Sequence, residues 1–168
     1  MSTTNDPKLA SVNEPHHKPL ATWSEVLPNL WQGGTDDQDV FTQYDKPAIT
    51  KASFDSVYTF YSFANPVDWF VKEVRLGFYD NDELTIQPSQ LYELAEQAHK
   101  EWKQGKRVLI RCQAGLNRSG LLTALVLIKD GFAPSQAISL MRETRSEYVL
   151  MNPFFEEWLL NAEHFSEL

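Results

Sequence analysis

Cys112 and Arg118 are separated by five residues, and Ser119 follows the arginine directly. The run Cys112-Gln113-Ala114-Gly115-Leu116-Asn117-Arg118 lies between an apolar, strand-like stretch, Val108-Leu109-Ile110-Arg111, and the helical pattern of residues 121–128. A chain that turns from a strand into a helix leaves backbone N–H groups unpaired at the helix start, where the helix dipole favours an anion. Gly115 suits a tight turn in which successive N–H groups form an anion-binding nest. A sulfur held there is favoured as the thiolate, because those donors and Arg118 stabilise negative charge. The planar fork of Arg118 can grip two phosphate oxygens at once. A buried, inert cysteine would instead have neighbours of core type, and Gln, Ala, Gly, Leu, Asn, Arg and Ser make a poor core sequence. The stretch reads as a phosphate cradle, formed by Gln113, Ala114, Gly115, Leu116, Asn117 and Arg118, with a nucleophile at its floor.

The surrounding pattern must position this cradle. A helix is expected over residues 119–130, stopping at Gly131, directly after a strand at 108–111. The clearest helix spans 84–105: Pro88 fits its first turn, Leu91, Leu94, Ala95, Ala98 and Trp102 recur on one face, and Gly105 ends it. A further helix starts at Pro134 and ends near Arg145. The last begins at Asn152, an N-cap with Pro153 at the first helical position, and carries Phe154, Phe155, Trp158 and Leu159. Trp23 to Gly34 looks like the opening of the folded domain, with Pro28-Asn29 as a turn and Gly33-Gly34 as a break. Strands are expected near 56–60 and over 69–78, the second followed by the acidic group Asp80, Asp82 and Glu83. Strands first, then helices alternating with strand 108–111, indicate an α/β fold with a central mixed sheet of about four to five strands flanked by helices.

Composition bounds the function. A chain of 168 residues suits one domain with a proper core. We place that domain at residues 22–168, behind a flexible arm at 1–21 that lacks apolar periodicity. His16-His17 in the arm reads as solvated tail rather than a metal site, and no metal-ligand spacing appears elsewhere. A net charge of −8 argues against non-specific binding to nucleic acid or an anionic membrane, so any phosphate site must be positive locally. A single cysteine cannot form an internal disulfide, which fits a reducing, cytoplasmic setting. No apolar run approaches membrane-spanning length. The acidic, polar stretch 35–53 reads as a connecting loop.

Cys112-x5-Arg118-Ser119 resembles the signature of the cysteine-dependent protein tyrosine and dual-specificity phosphatases. The phrase Val26-Leu27-Pro28-Asn29-Leu30-Trp31-Gln32-Gly33 is similar to the first hairpin of the dual-specificity branch. The resemblance implies a phosphotyrosine protein phosphatase-like fold. It also implies hydrolysis of phosphate monoesters without cofactor or metal: Cys112 attacks phosphorus, an aspartic acid protonates the leaving oxygen, and the phosphocysteine is hydrolysed. Ser119 would donate to the sulfur. One departure concerns tuning: the family usually has histidine before the cysteine, and this chain has Arg111.

An alkoxide is a very poor leaving group, so the reaction needs a proton donor. In the family it sits on a loop about thirty residues before the cysteine, where Asp80 and Asp82 fall. Phe78-Tyr79-Asp80-Asn81 resembles the family's form and favours Asp80, with Asp82 as rival. Met141-Arg142-Glu143-Thr144-Arg145 resembles a family stretch whose arginine binds a second phosphate or braces the cradle; the other reading of Arg142 and Arg145 is solvent-facing charge. The expected partner is a phosphorylated protein, with the chain a monomer. RNA 5′-phosphates and phosphoinositides are the alternative substrates on the same fold. Two other classes stay open: a phosphate-binding module with little turnover, and a sulfurtransferase-like protein.

Overall fold

The apolar run before Cys112 forms the middle strand of a sheet. The structure, a computed structural model, describes residues 19, 21–35 and 49–161. Among these residues the strands are β1 (Trp23–Leu27), β2 (Leu30–Gly33), β3 (Ser56–Thr59), β4 (Lys72–Arg75) and β5 (Val108–Arg111). The helices are α1 (Pro88–Lys103), α2 (Arg118–Lys129), α3 (Pro134–Thr144) and α4 (Pro153–Leu160). The sheet order is β1-β2-β5-β3-β4, with β1 antiparallel to β2 and the other pairs parallel. All four residues of β3 and of β5 are buried, as parallel strands covered on both faces require.

Alternation along the strands sorts the core into two clusters. Tyr58, Val108 and Ile110 face the helices, where they meet Leu91, Ala95 and Ala98 of α1, Ala137 and Met141 of α3, and Phe155 and Leu159 of α4. Val57 and Leu109 face the other way, towards Ile49, Phe54 and Val71, with Trp23 and Trp31 packed alongside. The ring of Phe54 meets those of Trp23 and Trp31 edge-on at 5.2 and 5.7 Å. Helix α2 is buried from Arg118 to Leu127, which explains why its sequence is apolar nearly all round. Because α2 is clamped by the other helices, its first turn offers a fixed base for the loop before it.

The expected helices and hairpin form, with adjusted ends. Helix α1 begins at Pro88 rather than at residue 84, since proline is suited to the first helical position. The strand expected over 69–78 shrinks to β4: the Asp68 carboxylate takes the Trp69 N–H and its carbonyl takes the Val71 N–H, closing a turn that leaves Trp69 91% exposed. Residues 1–18, including His16 and His17, and residues 36–48 of the acidic connection lie outside the described residues. No helix among the described residues is long and apolar enough to cross a membrane.

Candidate active site

The loop from Cys112 to Asn117 is fastened from outside. The Gln113 carbonyl accepts from Thr35 N at 2.8 Å, that of Ala114 from Arg145 Nη2 at 3.2 Å, and that of Leu116 from Leu150 N at 3.1 Å. The Gly115 carbonyl takes two donors, Arg145 Nε at 2.7 Å and Gln32 Nε2 at 3.2 Å. In a trans peptide the C=O and the following N–H point in opposite directions. Four carbonyls turned outward therefore turn the N–H groups of Ala114, Gly115, Leu116 and Asn117 inward, into one concavity. The first N–H groups of α2 open on the same place, so the cradle is a donor-lined anion nest.

Two glycine positions make this closeness possible. Gly115 has φ +72°, and a Cβ there would lie 2.4 Å from the Gly33 carbonyl carbon. A Cβ on Gly34 would lie 2.8 Å from the Gln113 carbonyl oxygen. The Gly33-Gly34 pair, read in the sequence as a break, is the surface on which the cradle loop rests.

Cys112 is buried at the floor, its N–H bonded to the Gly33 carbonyl at 3.2 Å. Its Sγ lies 3.4 Å from Ser119 Oγ, which also accepts from Gln32 Nε2 at 3.2 Å. Arg118 is 8% exposed. Its Nη1 donates to the carbonyls of Phe60 and Phe78 at 3.3 and 3.2 Å, and its guanidinium lies 5.7 Å from the centre of the Tyr61 ring. Its buried Nε has no hydrogen-bond partner among the described residues. A buried donor without an acceptor is costly, and a phosphate oxygen in the nest would satisfy it.

Of the acidic candidates, Asp80 is the one joined to the cradle. Asn117 Nδ2 donates to Asp80 Oδ2 at 2.9 Å, and Asn152 Nδ2 donates to Asp80 Oδ1 at 2.8 Å and to the Asn81 carbonyl at 2.8 Å. The two asparagines are themselves linked, Asn152 N donating to Asn117 Oδ1 at 2.9 Å. Asn152 also caps α4, accepting from Phe154 N and Phe155 N. Asp82 and Glu83 are exposed.

The basic candidates divide. Arg145 is consumed as a brace: besides its bonds to Ala114 and Gly115, its Nη1 donates to Ser24 Oγ at 3.0 Å and to the Ala21 carbonyl at 3.2 Å. Burial pushes its guanidinium down to about 10, while the charge of the Cys112 sulfur acts in the opposite direction. It stays positive at neutral pH. Arg142 holds the Val149 carbonyl at 3.0 Å and pairs with Glu156 at 3.1 Å, so neither arginine is merely a solvent-facing charge. Arg111 is not brought to the cradle. As the neighbour of Cys112 in an extended strand it points to the other face of the sheet, where it donates to Thr59 Oγ1, the Asn65 carbonyl and Glu73 Oε2.

Gln32, Thr35 and the second duty of Asn152 were missed in the sequence. Gln32 did leave a signal: it shares a strand face with buried Leu30, so a polar side chain falls at a core position.

Residues 66–165 match the family of dual specificity phosphatase catalytic domains, and the chain belongs to that family. The matched span runs from before β4 through α4 and contains Asp80, Cys112 and Arg118. The fold is shared with solved phosphatase structures. Human DUSP28 superposes with a TM-score of 0.71 at 17% identity, over 90% of this chain and 99% of that one. The human tyrosine phosphatase-like serine/threonine/tyrosine-interacting protein gives 0.66 at 19% identity, over 87% and 98%. PTPMT1 in complex with PI(5)P gives 0.64 at 15% identity, over 88% and 98%. No curated protein is similar enough in sequence to count as a match.

Proposed function

We propose that this protein hydrolyses phosphate monoesters, first of all phosphotyrosine and phosphoserine or phosphothreonine in proteins, through a phosphocysteine intermediate. The observation that carries the reading is the inward-facing donor set above Cys112, completed by the partnerless Arg118 Nε. The Cys112 thiolate attacks phosphorus, forming the P–S bond as the bond to the leaving oxygen breaks. The N–H groups of residues 113–118 and the Arg118 guanidinium hold the equatorial oxygens as charge develops. Asp80 gives its proton to the leaving oxygen. As a carboxylate it then takes a proton from water, which attacks phosphorus; the P–S bond breaks, and inorganic phosphate leaves with the thiolate restored. Ser119, beside the sulfur, supports it as nucleophile and as leaving group. The exposed rings of Phe63 and Tyr79, on the loops whose Phe60 and Phe78 carbonyls Arg118 holds, suit a peptide or aryl substrate, and the net charge of −8 disfavours RNA.

The test is hydrolysis of para-nitrophenyl phosphate with EDTA present. Wild type should turn over without added metal, and Cys112→Ser should lose essentially all activity. With phenyl phosphate, whose poorer leaving group needs the proton, Asp80→Ala should lose the fall in activity on the alkaline side of the pH profile, which Asp82→Ala should keep. Full activity in Cys112→Ser, or strict metal dependence, sinks the reading; tight vanadate binding with no turnover makes the protein a phosphate-binding module. A phosphoinositide is the second reading, favoured by the likeness to PTPMT1 bound to PI(5)P. Comparison of a phosphotyrosyl peptide with PI(5)P at equal concentration separates the two.

A further inference from the structure

Gln32 is fully buried on β2, yet its Oε1 has no hydrogen-bond partner among the described residues. An apolar residue at this core position would avoid that burden. The orientation of its amide is fixed by chemistry rather than by appearance. The end facing the Gly115 carbonyl must be the donor, because a carbonyl only accepts. The same Nε2 lies 3.2 Å from Ser119 Oγ, so it fills an acceptor site of that hydroxyl. The hydroxyl has one proton, and Cys112 Sγ stands 3.4 Å away.

We propose that Gln32 is a positioning residue for the nucleophile: it holds the acceptor side of the Ser119 hydroxyl so that the Ser119 proton is directed at the Cys112 sulfur. The inference rests on the reading of Cys112 as nucleophile. It supplies a tuning element from β2 in a chain whose residue before the cysteine, Arg111, is engaged on the opposite face of the sheet. The charged groups around the cradle are Arg118 from the start of α2, Arg145 from the end of α3 and Asp80 from the loop after β4; substitution at Gln32 changes none of them.

Cys112 is the only cysteine, so alkylation by iodoacetamide reports on it alone. The rate is to be measured against pH for wild type, Gln32→Met, Ser119→Ala and the double variant. A lost hydrogen bond to the charged sulfur should slow Gln32→Met about tenfold near pH 6, with the rates converging at alkaline pH. Ser119→Ala should show at least this displacement, and adding Gln32→Met to it should change nothing further. Rapid mixing with para-nitrophenyl phosphate should also give a larger nitrophenol burst in Gln32→Met, because the thiolate becomes a poorer leaving group. Equal slowing at every pH, or an effect of Gln32→Met that persists beside Ser119→Ala, overturns the proposal and assigns Gln32 to the Gly115 carbonyl alone. If Gln32→Met does not fold, an unchanged profile in Ser119→Ala overturns it equally. Alkylation needs no turnover, so failure of the phosphatase reading, seen as activity in Cys112→Ser, is a separate result.

Discussion

The cradle and the loop that carries Asp80 meet at Asn117 and are built in opposite ways. The cradle is largely buried, its outward carbonyls are taken by donors from Thr35, Gln32 of β2, Arg145 and Leu150, and its glycine rests on the backbone of Gly33. The acid loop, residues 76–87, is largely exposed, and its carboxylate is fixed by side-chain amides from two distant places. On the proposed reading, phosphate grip is thus a property of the backbone, prepared before a ligand arrives, whereas acid placement is a property of two replaceable side chains. The two halves of the chemistry should therefore be separable by mutation.

The largest effect is expected from disturbing the backbone half. Gly115→Ala places a Cβ in the left-handed region, at about 1–3 kcal/mol of strain, and drives it into the Gly33 carbonyl and the Arg145 guanidinium. The loop must shift, and a displacement of about 1 Å at a reacting centre can cost about a hundredfold in rate. Turnover should fall by about that factor for every substrate alike, with a lower melting temperature and weaker vanadate binding. Retained vanadate affinity would show that the cradle tolerates movement.

A smaller and selective effect is expected in the acid half. Asn152→Ala removes one of the two amides on Asp80 and the cap of α4, a loss of about 1 kcal/mol of stability. A general acid contributes about 10²–10⁴-fold where the leaving group is poor, so part of that factor should vanish. Phenyl phosphate turnover should drop about tenfold, while an activated ester such as para-nitrophenyl phosphate changes little and vanadate binding stays. Equal losses on both esters would mean that Asn152 serves the cradle instead. Asn117 cannot make this distinction, because its backbone is part of the nest.

This division also explains what could be read from residues alone. The cradle is legible because its parts are consecutive: strand, Cys112, glycine turn, Arg118 and helix follow one another within a few residues. The hairpin, the four helices and the cap at Asn152 are likewise local patterns. The spacing of Asp80 and Asp82 left both available, and what separates them is contact with Asn117 and Asn152, two residues far apart in the chain. Gln32 reaches Gly115 across 83 positions, and Arg145 returns to Ala114 and Gly115 from another helix; nothing in a linear pattern links those partners. The direction of Arg111 was within reach, since alternation in an extended strand puts it opposite Cys112.

Arg111 gives the smallest effect on catalysis and the sharpest control. Its guanidinium is nearly buried against Glu73, 3.1 Å away, which also accepts from Thr59 Oγ1 and pairs with Arg75. Burial holds Arg111 below its ordinary value, and Glu73 opposes that shift. For Glu73, burial acts upward, but the Thr59 hydroxyl and the two arginines outweigh it and hold the carboxyl below the usual 4.5. A folded value below the unfolded one means that the stabilisation is present above about pH 4.5 and is lost as pH falls through the lowered value. Arg111→Met should remove about 3 kcal/mol by leaving Glu73 short of its buried partner, and should flatten this acid limb of stability. Turnover per folded molecule and the alkylation profile of Cys112 should not move, because the lost side chain is on the far face of the sheet. A displaced alkylation profile in Arg111→Met would show that the two faces communicate through β5, and the cradle could then no longer be treated as independent of the strand that carries it.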